Sequence, residues 1–421
     1  MSSQLYTDYI LSSNPVESVN ILTRKLKGGR PKRSRGFGYT PAVSWKAWWA
    51  FGVGPSTSAV ALALVMLVTP VGASVPWRSL HVPGDGEAMS AVDCFTPVRC
   101  VGLSIGSSQV STTDDGGRTW RAHQGPFFAR LGFTSLTCDR AGRCVATATL
   151  GESLPSGALV AASSDGGLRW RELLVRRTPG NQRFRFNDVS CSTRAHCLVA
   201  GTDGSRGFIL ETSDAGHMWQ SARLPAQPAQ GSITAVACLN TRECLATQAA
   251  RAELYRSLDA GRTWTALGVP PQFAGVARVK GVLTGLTALS CGSPNFCVAG
   301  GYIAHTQLLG TTEPFKWVTN DAGRSWRFDQ PFAMTGARSP AAISTGAISC
   351  VSQTVCTLGV SYGDVYETTD AGTTWVRDRG APALDSNVLS MTCPSLSRCV
   401  ASVISNFPSH QLLQGSIWVR F

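Results

Sequence analysis

The sequence predicts an all-β protein, a seven-bladed β-propeller of four-stranded antiparallel blades, preceded by an N-terminal transmembrane or signal helix. Three observations carry that expectation. Seven cysteine pairs share one spacing, C-x5-C. Six copies of an eight-residue motif, S/T-x-D-x-G-x-x-W, run in register with them. A wholly apolar stretch, Ala59 to Val68, follows a basic N-terminal segment.

The chain divides at those features. Residues 1–46 hold Arg24, Lys25, Lys27, Arg30, Lys32, Arg33, Arg35 and Lys46 against Asp8 and Glu17. This segment reads as a basic cytoplasmic or leader piece. It carries half of the formal net charge of +12, so the remainder of the chain is only mildly basic and nucleic-acid binding is not expected. Residues 47–75 form the hydrophobic region, uncharged between Lys46 and Arg78. Positive charge before an apolar run is the pattern of a signal peptide or signal anchor. Small residues at 71–73 suit cleavage, whereas 47–73 is long enough to cross about 30 Å of hydrocarbon as a helix. Both outcomes place residues 76–421 outside the cytoplasm, secreted or held at the cell membrane.

The cysteines agree with export. All 14 follow residue 90, and an even count at regular spacing in an exported chain reads as disulfides. The expected bridges are Cys94–Cys100, Cys138–Cys144, Cys191–Cys197, Cys238–Cys244, Cys291–Cys297, Cys350–Cys356 and Cys393–Cys399. Zinc sites combine four ligands at tighter spacing, so no metal is expected, nor any cofactor.

The pairs recur every 43–59 residues, and the eight-residue motif recurs with them: TDDGGRTW (113–120), SSDGGLRW (163–170), TSDAGHMW (212–219), SLDAGRTW (257–264), TNDAGRSW (319–326) and TTDAGTTW (368–375). Between these landmarks lie short alternating runs separated by polar turns, with no sustained helical period. Four short strands per unit of about 50 residues, repeated, describe a propeller blade. Each C-x5-C then joins the end of a first strand to the start of a second, contributing about 2 kcal/mol per closed loop.

The motif explains itself as a turn. The aspartate accepts hydrogen bonds from its own backbone, the fifth-position glycine permits positive φ, and the tryptophan buries its ring between sheets. Asp115, Asp165, Asp214, Asp259, Asp321 and Asp370, with Trp120, Trp170, Trp219, Trp264, Trp326 and Trp375, are therefore read as structural. Arg169 and Met218 replace the hydroxyl residue before the tryptophan, so looser turns are expected there.

These six motifs resemble the Asp-box, or bacterial neuraminidase repeat. It is found in sialidases, in endoglucanase-type glycoside hydrolases, in sortilin-type receptors and in the photosystem II assembly and stability factor family. The resemblance spans residues 76–421. It implies that the box lies on the rim, between third and fourth strands, away from the central channel.

Seven cysteine pairs but six boxes leave the last unit incomplete. Residues 75–82, VPWRSLHV, resemble the run that follows a box, so 76–83 is expected to close the last blade as its fourth strand.

Chemistry is sparse. A glycoside hydrolase needs two carboxylates about 5–10 Å apart at a channel mouth. Glu87, Asp93 and Asp188 lie near first strands and are the candidates, the plainer reading being solvated strand-end residues. The sialidase pattern of three arginines with a Tyr/Glu pair is not evident among Tyr255, Tyr302, Tyr362, Tyr366 and Glu367. The six histidines (81, 123, 196, 217, 305 and 410) show no metal spacing. Arg171, Arg176, Arg177, Arg183 and Arg185 cluster around a Pro-Gly turn and could hold an acidic partner or a lipid headgroup. The long connection 267–284 is a second candidate recognition loop. The reading favoured is a non-enzymatic, monomeric binding or assembly scaffold for a protein or glycan partner. It would touch the membrane through 47–73 if that segment is retained. The alternative is a glycoside hydrolase of sialidase or endoglucanase type.

Overall fold

The computed structural model describes residues 76–421 apart from short segments at 83–87, 106–108, 125–130, 151–156, 178–183, 227–230, 278, 306–310, 330–344, 361–362, 382–385, 396 and 406–414. The basic segment 1–46 and the apolar segment 47–75 lie outside the described residues, as does Glu87. Among the described residues no helix is long and apolar enough to cross a membrane.

Seven four-stranded antiparallel sheets make up the described chain. Blades one to six are meanders of consecutive strands. Their inner strands are Met89–Cys94, Leu131–Cys138, Arg185–Cys191, Ile233–Cys238, Val282–Cys291 and Thr345–Cys350. Blade seven begins with Ser386–Ser395 and takes its outer strand from the start of the chain: Arg78–His81 pairs antiparallel with Gly415–Arg420, Arg78 opposite Val419 and His81 opposite Ser416. Each inner strand packs beside the next in cyclic order, and the seventh beside the first, so the ring is closed.

Every inner strand carries a register shift shortly before its first cysteine, for example between Phe186 and Asp188 and between Leu286 and Ala288. A bulge adds local twist and bends the strand. Repeated around the ring, it suits strands that converge on a central axis.

The core lies between blades. One cluster joins Phe95, Val101 and Leu103 of blade one to Phe133, Leu159 and Trp170 of blade two. Another joins Leu198 and Ile209 of blade three to Val236, Tyr255 and Trp264 of blade four. The second strands of blades one, three and four are buried on both faces, which is why they read as largely apolar runs in the sequence.

All seven C-x5-C pairs are disulfides, each across the turn from first to second strand. Antiparallel pairing puts those turns on the same face of the propeller as the loops between third and fourth strands, where the boxes sit. The two are bolted together in six blades. The backbone N–H of the fourth box residue donates to the carbonyl two residues before the second cysteine: Gly116 to Val98, Gly166 to Gly142, Ala215 to Ala195, Ala260 to Arg242, Ala322 to Asn295 and Ala371 to Thr354.

The connection 267–284 differs from the open loop expected. It contains a short helix, Pro271–Ala277. Phe273 anchors it, fully buried against Phe315, Trp317 and Phe328. Seven residues with one buried anchor are too short to show a helical period.

Candidate functional site

The box turn shows how the repeated aspartates are used. In blade four, Ser257 Oγ donates to Asp259 Oδ1 at 2.9 Å and itself accepts the Gly261 N–H at 2.8 Å. Thr263 donates its N–H to Oδ1 and its hydroxyl to Oδ2, at 2.8 and 2.6 Å. Burial is the largest single effect and opposes the anion, but the donors together outweigh it and hold the carboxyl below its usual range. Asp115 and Asp370, in the same arrangement, are lowered to about 2. Each box acid is thus occupied by its own turn. In blades two and three the hydroxyl donor to Oδ2 is missing, because Arg169 and Met218 stand in its place, while the backbone bond to Oδ1 at 2.9 Å is kept.

The inner-strand carboxylates are also occupied. Asp93 Oδ2 accepts the Cys138 N–H of blade two at 2.7 Å, and its Oδ1 accepts the Cys94 N–H and the Thr392 hydroxyl of blade seven. Asp188 Oδ1 accepts from Ser135 of blade two at 2.6 Å, and its Oδ2 accepts the Val236 N–H of blade four at 2.8 Å. Both acids therefore latch three consecutive blades together. Burial pushes both upward, Asp188 to about 6, against the hydrogen bonds that favour the anion. Hydroxyls do the same work elsewhere. Ser190, Ser290 and Ser349, each immediately before a first cysteine, accept the N–H of the next blade's first cysteine. Asp93 holds the equivalent position in blade one.

Tyr255 does bring a glutamate into reach: its hydroxyl donates to Glu253 Oε2 at 2.8 Å and lies 3.0 Å from Gln248 Oε1. The ring is fully buried, however, and desolvation followed by the Glu253 hydrogen bond pushes the phenol upward. A tyrosine kept protonated in the core is not poised as a nucleophile. Tyr366 is likewise raised, to about 12, by burial, and Tyr362 lies outside the described residues. Among the described residues no cluster of three His, Cys, Asp or Glu could hold a metal ion.

The rim between blades two and three offers a different kind of site. A cleft of about 340 Å³ opens there, lined by Arg143, Arg169, Arg171 and Arg194 with Trp170 and Trp219. Arg143 is bound to Asp139, its Nε 2.6 Å from Oδ2. Arg169 acts electrostatically on Asp165 of its own box, whereas Arg171 and Arg194 make no ion pair among the described residues. Trp170 donates its Nε1–H to Gly167 O at 2.8 Å, whereas the buried Nε1 of Trp219 has no partner among the described residues. The cleft is flanked by the two boxes that lack the hydroxyl donor, and Leu168 and Met218 beside it are 50% and 62% exposed.

The arginine cluster expected around 171–186 is distributed by the fold. Arg171 and Arg176 are exposed on the outer strand of blade two, Trp170–Arg177. Arg185 begins the inner strand of blade three and is half-buried. Arg183, and the side chain of Arg177, lie outside the described residues. Of the described members of the expected cluster, Arg171 lines the cleft. Arg143 and Arg194 join it from disulfide turns, a juxtaposition that sequence distance conceals.

The family model described as photosynthesis system II assembly factor YCF48 matches residues 145–286, from the second strand of blade two into the inner strand of blade five. No curated protein matches the sequence. Among solved structures, YCF48 bound to a D1 peptide is similar at 12% identity and a TM-score of 0.55, over 82% of this chain and 96% of that one. YCF48 from Cyanidioschyzon merolae is similar at 14% identity and a TM-score of 0.54, over 82% and 98%. The GH74 xyloglucanase from Xanthomonas campestris is similar at 15% identity and a TM-score of 0.52, over 82% of this chain and 55% of that enzyme. At such identities the likeness establishes the fold. In fold and in repeat, the chain is similar to the YCF48 propellers and carries the bacterial neuraminidase repeat.

Proposed function

We propose that the propeller is a non-enzymatic scaffold that binds a protein partner outside the cytoplasm, through the box-bearing rim of blades two and three. One observation carries the reading. The acids on the described inner strands, Asp93 and Asp188, are spent on joining blades, while the cleft between blades two and three presents Arg171 and Arg194, which make no ion pair among the described residues. Seven disulfides support an extracytoplasmic setting. The similar YCF48 structure with its bound D1 peptide supports a protein ligand. Retention at the membrane through 47–73 is part of the same proposal.

Two measurements test it. A fluorogenic glycoside panel should give no turnover. Hydrolysis that is lost in Asp93→Asn or Asp188→Asn would establish the glycoside-hydrolase alternative instead. A photo-cross-linking residue at Arg194, placed in the full chain in its native cells, should give one discrete protein adduct. The same residue at the exposed Val376 of blade six should not. Equal adducts from both positions would refute a rim site on blades two and three.

A further inference from the structure

The outer strand of blade two is unlike its six counterparts. It runs for eight residues, Trp170–Arg177, where the other outer strands have two to four. It pairs with the third strand of its blade from Ser163 opposite Trp170 to Gly157 opposite Arg177, with one bulge that leaves Leu173 without an opposite residue and keeps Arg171 and Arg176 on one face. That strand is its one neighbour in the sheet among the described residues, and no described residue pairs with its other edge. A long edge offers a row of main-chain donors and acceptors to an incoming strand. Proteins ordinarily keep such edges short, as the other six blades do. Half-buried Leu173, Leu174 and Val175 form the middle of this edge, and exposed Arg171, Glu172 and Arg176 flank them. Arg171 is shared with the cleft, where Arg169 and Arg194 extend the positive charge.

We propose that this edge takes up an extended acidic segment of the partner protein as a fifth strand of blade two. This rests on the scaffold reading and specifies its ligand. Charge selects the occupant. A second copy of the chain, added antiparallel and centred between Leu173 and Leu174, would set Arg171 opposite Arg176, and like charges directly opposed are destabilising. The protein's own N-terminal segment, 1–46, carries a net positive charge and is excluded on the same ground. An extended strand alternating carboxylates with β-branched residues satisfies both the arginines and the edge.

The probe is a synthetic peptide alternating glutamate with valine, beside a version with lysine for each glutamate. The full chain is followed by hydrogen exchange and mass spectrometry. The acidic peptide should slow exchange within 170–177 about tenfold at saturation, and the lysine peptide should not. Arg171→Glu with Arg176→Glu should weaken binding about three- to tenfold, since each cross-strand charge pair contributes only modestly. Exposed surface changes of this kind leave the fold intact. Binding without protection at 170–177 would overturn strand addition, and equal binding of the lysine peptide would overturn the charge argument. Absence of binding by either peptide would reduce the arginines to guards against edge pairing. If the cross-link from Arg194 persists in the double variant while the peptide result fails, this inference falls and the scaffold reading stands.

Discussion

Trp77 and Asp378 lie 301 residues apart in the chain, yet the indole Nε1–H donates to the Asp378 carboxylate at 2.7 Å. Arg420 completes the junction. Its Nη1 reaches Asp378 Oδ2 at 3.0 Å and also Glu367, and its guanidinium sits 5.1 Å from the centre of the Trp77 ring. Trp77 precedes the strand that closes blade seven, Arg420 ends the described third strand of that blade, and Glu367 and Asp378 belong to blade six. One buried charge cluster therefore ties both ends of the propeller to the neighbouring blade.

Breaking that junction should open the ring. Replacing Asp378 with Ala takes a carboxylate partner from a buried arginine, a change expected to cost about 3–5 kcal/mol. Trp77→Ala removes a buried ring and should cost a similar amount. Deleting 76–83 removes the strand as well and should lower the melting temperature further. Circular-dichroism melts of the three variants decide the matter, and an unchanged transition for the deletion would refute closure by this strand.

The boxes contain a backbone strain that can be relieved. Their fourth residue adopts a left-handed conformation, and in four boxes it is alanine: Ala215, Ala260, Ala322 and Ala371 have φ between 57° and 63°. The first two boxes use Gly116 and Gly166 there. An alanine in this region carries a penalty of about 1 kcal/mol that glycine avoids. Ala260→Gly should therefore stabilise blade four. The next residue behaves oppositely. Gly261 has φ +84°, and a Cβ there would meet Leu198 of blade three at 2.5 Å. Gly261→Ala should lower the melting temperature clearly. Chemical denaturation of the two single variants should give shifts of opposite sign, and shifts of the same sign would contradict this account of the turn.

The missing hydroxyl in two boxes makes a separate prediction. Arg169→Thr restores the donor that Thr263 supplies to Asp259 Oδ2 in blade four. A hydrogen bond to a charged group is worth about 1.5–3 kcal/mol, less at an exposed position such as this. The variant should melt higher than the parent while losing affinity for the acidic peptide, because an arginine has left the cleft. A gain in stability with binding unchanged would remove Arg169 from the site.

What the sequence revealed and what it hid follow from range. The fold was legible because its markers are local: box and cysteine pair each fit within eight residues, and their repetition gives the blade count. The boxes also betrayed their own irregularities, Arg169 and Met218. The latches were hidden because each partner lies a blade away. Asp93 reads as a lone acid until Cys138 and Thr392 are placed beside it, and Ser190 reads as filler until Cys238 arrives. The cleft was hidden for the same reason, Arg143 and Arg194 coming from separate turns. The long edge was hidden differently: nothing in WRELLVRR says that its sheet ends there.

The acids should give the propeller a pH dependence of two opposing parts. The box aspartates are lowered, Asp115 and Asp370 to about 2. Their stabilisation is complete above the ordinary carboxylate range and is lost as pH falls toward about 2. Asp188 is raised to about 6 by burial, so its protonated form favours the fold. That contribution is complete below about pH 4 and is lost as pH rises through about 6, a swing of at most about 3 kcal/mol. Asp188→Asn is neutral at every pH and lacks the swing. It gives up one acceptor, so at about pH 4 it should be no more stable than the parent. Its stability relative to the parent should then improve steadily toward about pH 7. Urea titrations of both proteins across that window measure the difference directly. A constant offset would mean that Asp188 does not change its protonation there, and that the latch between blades two, three and four holds the same form throughout.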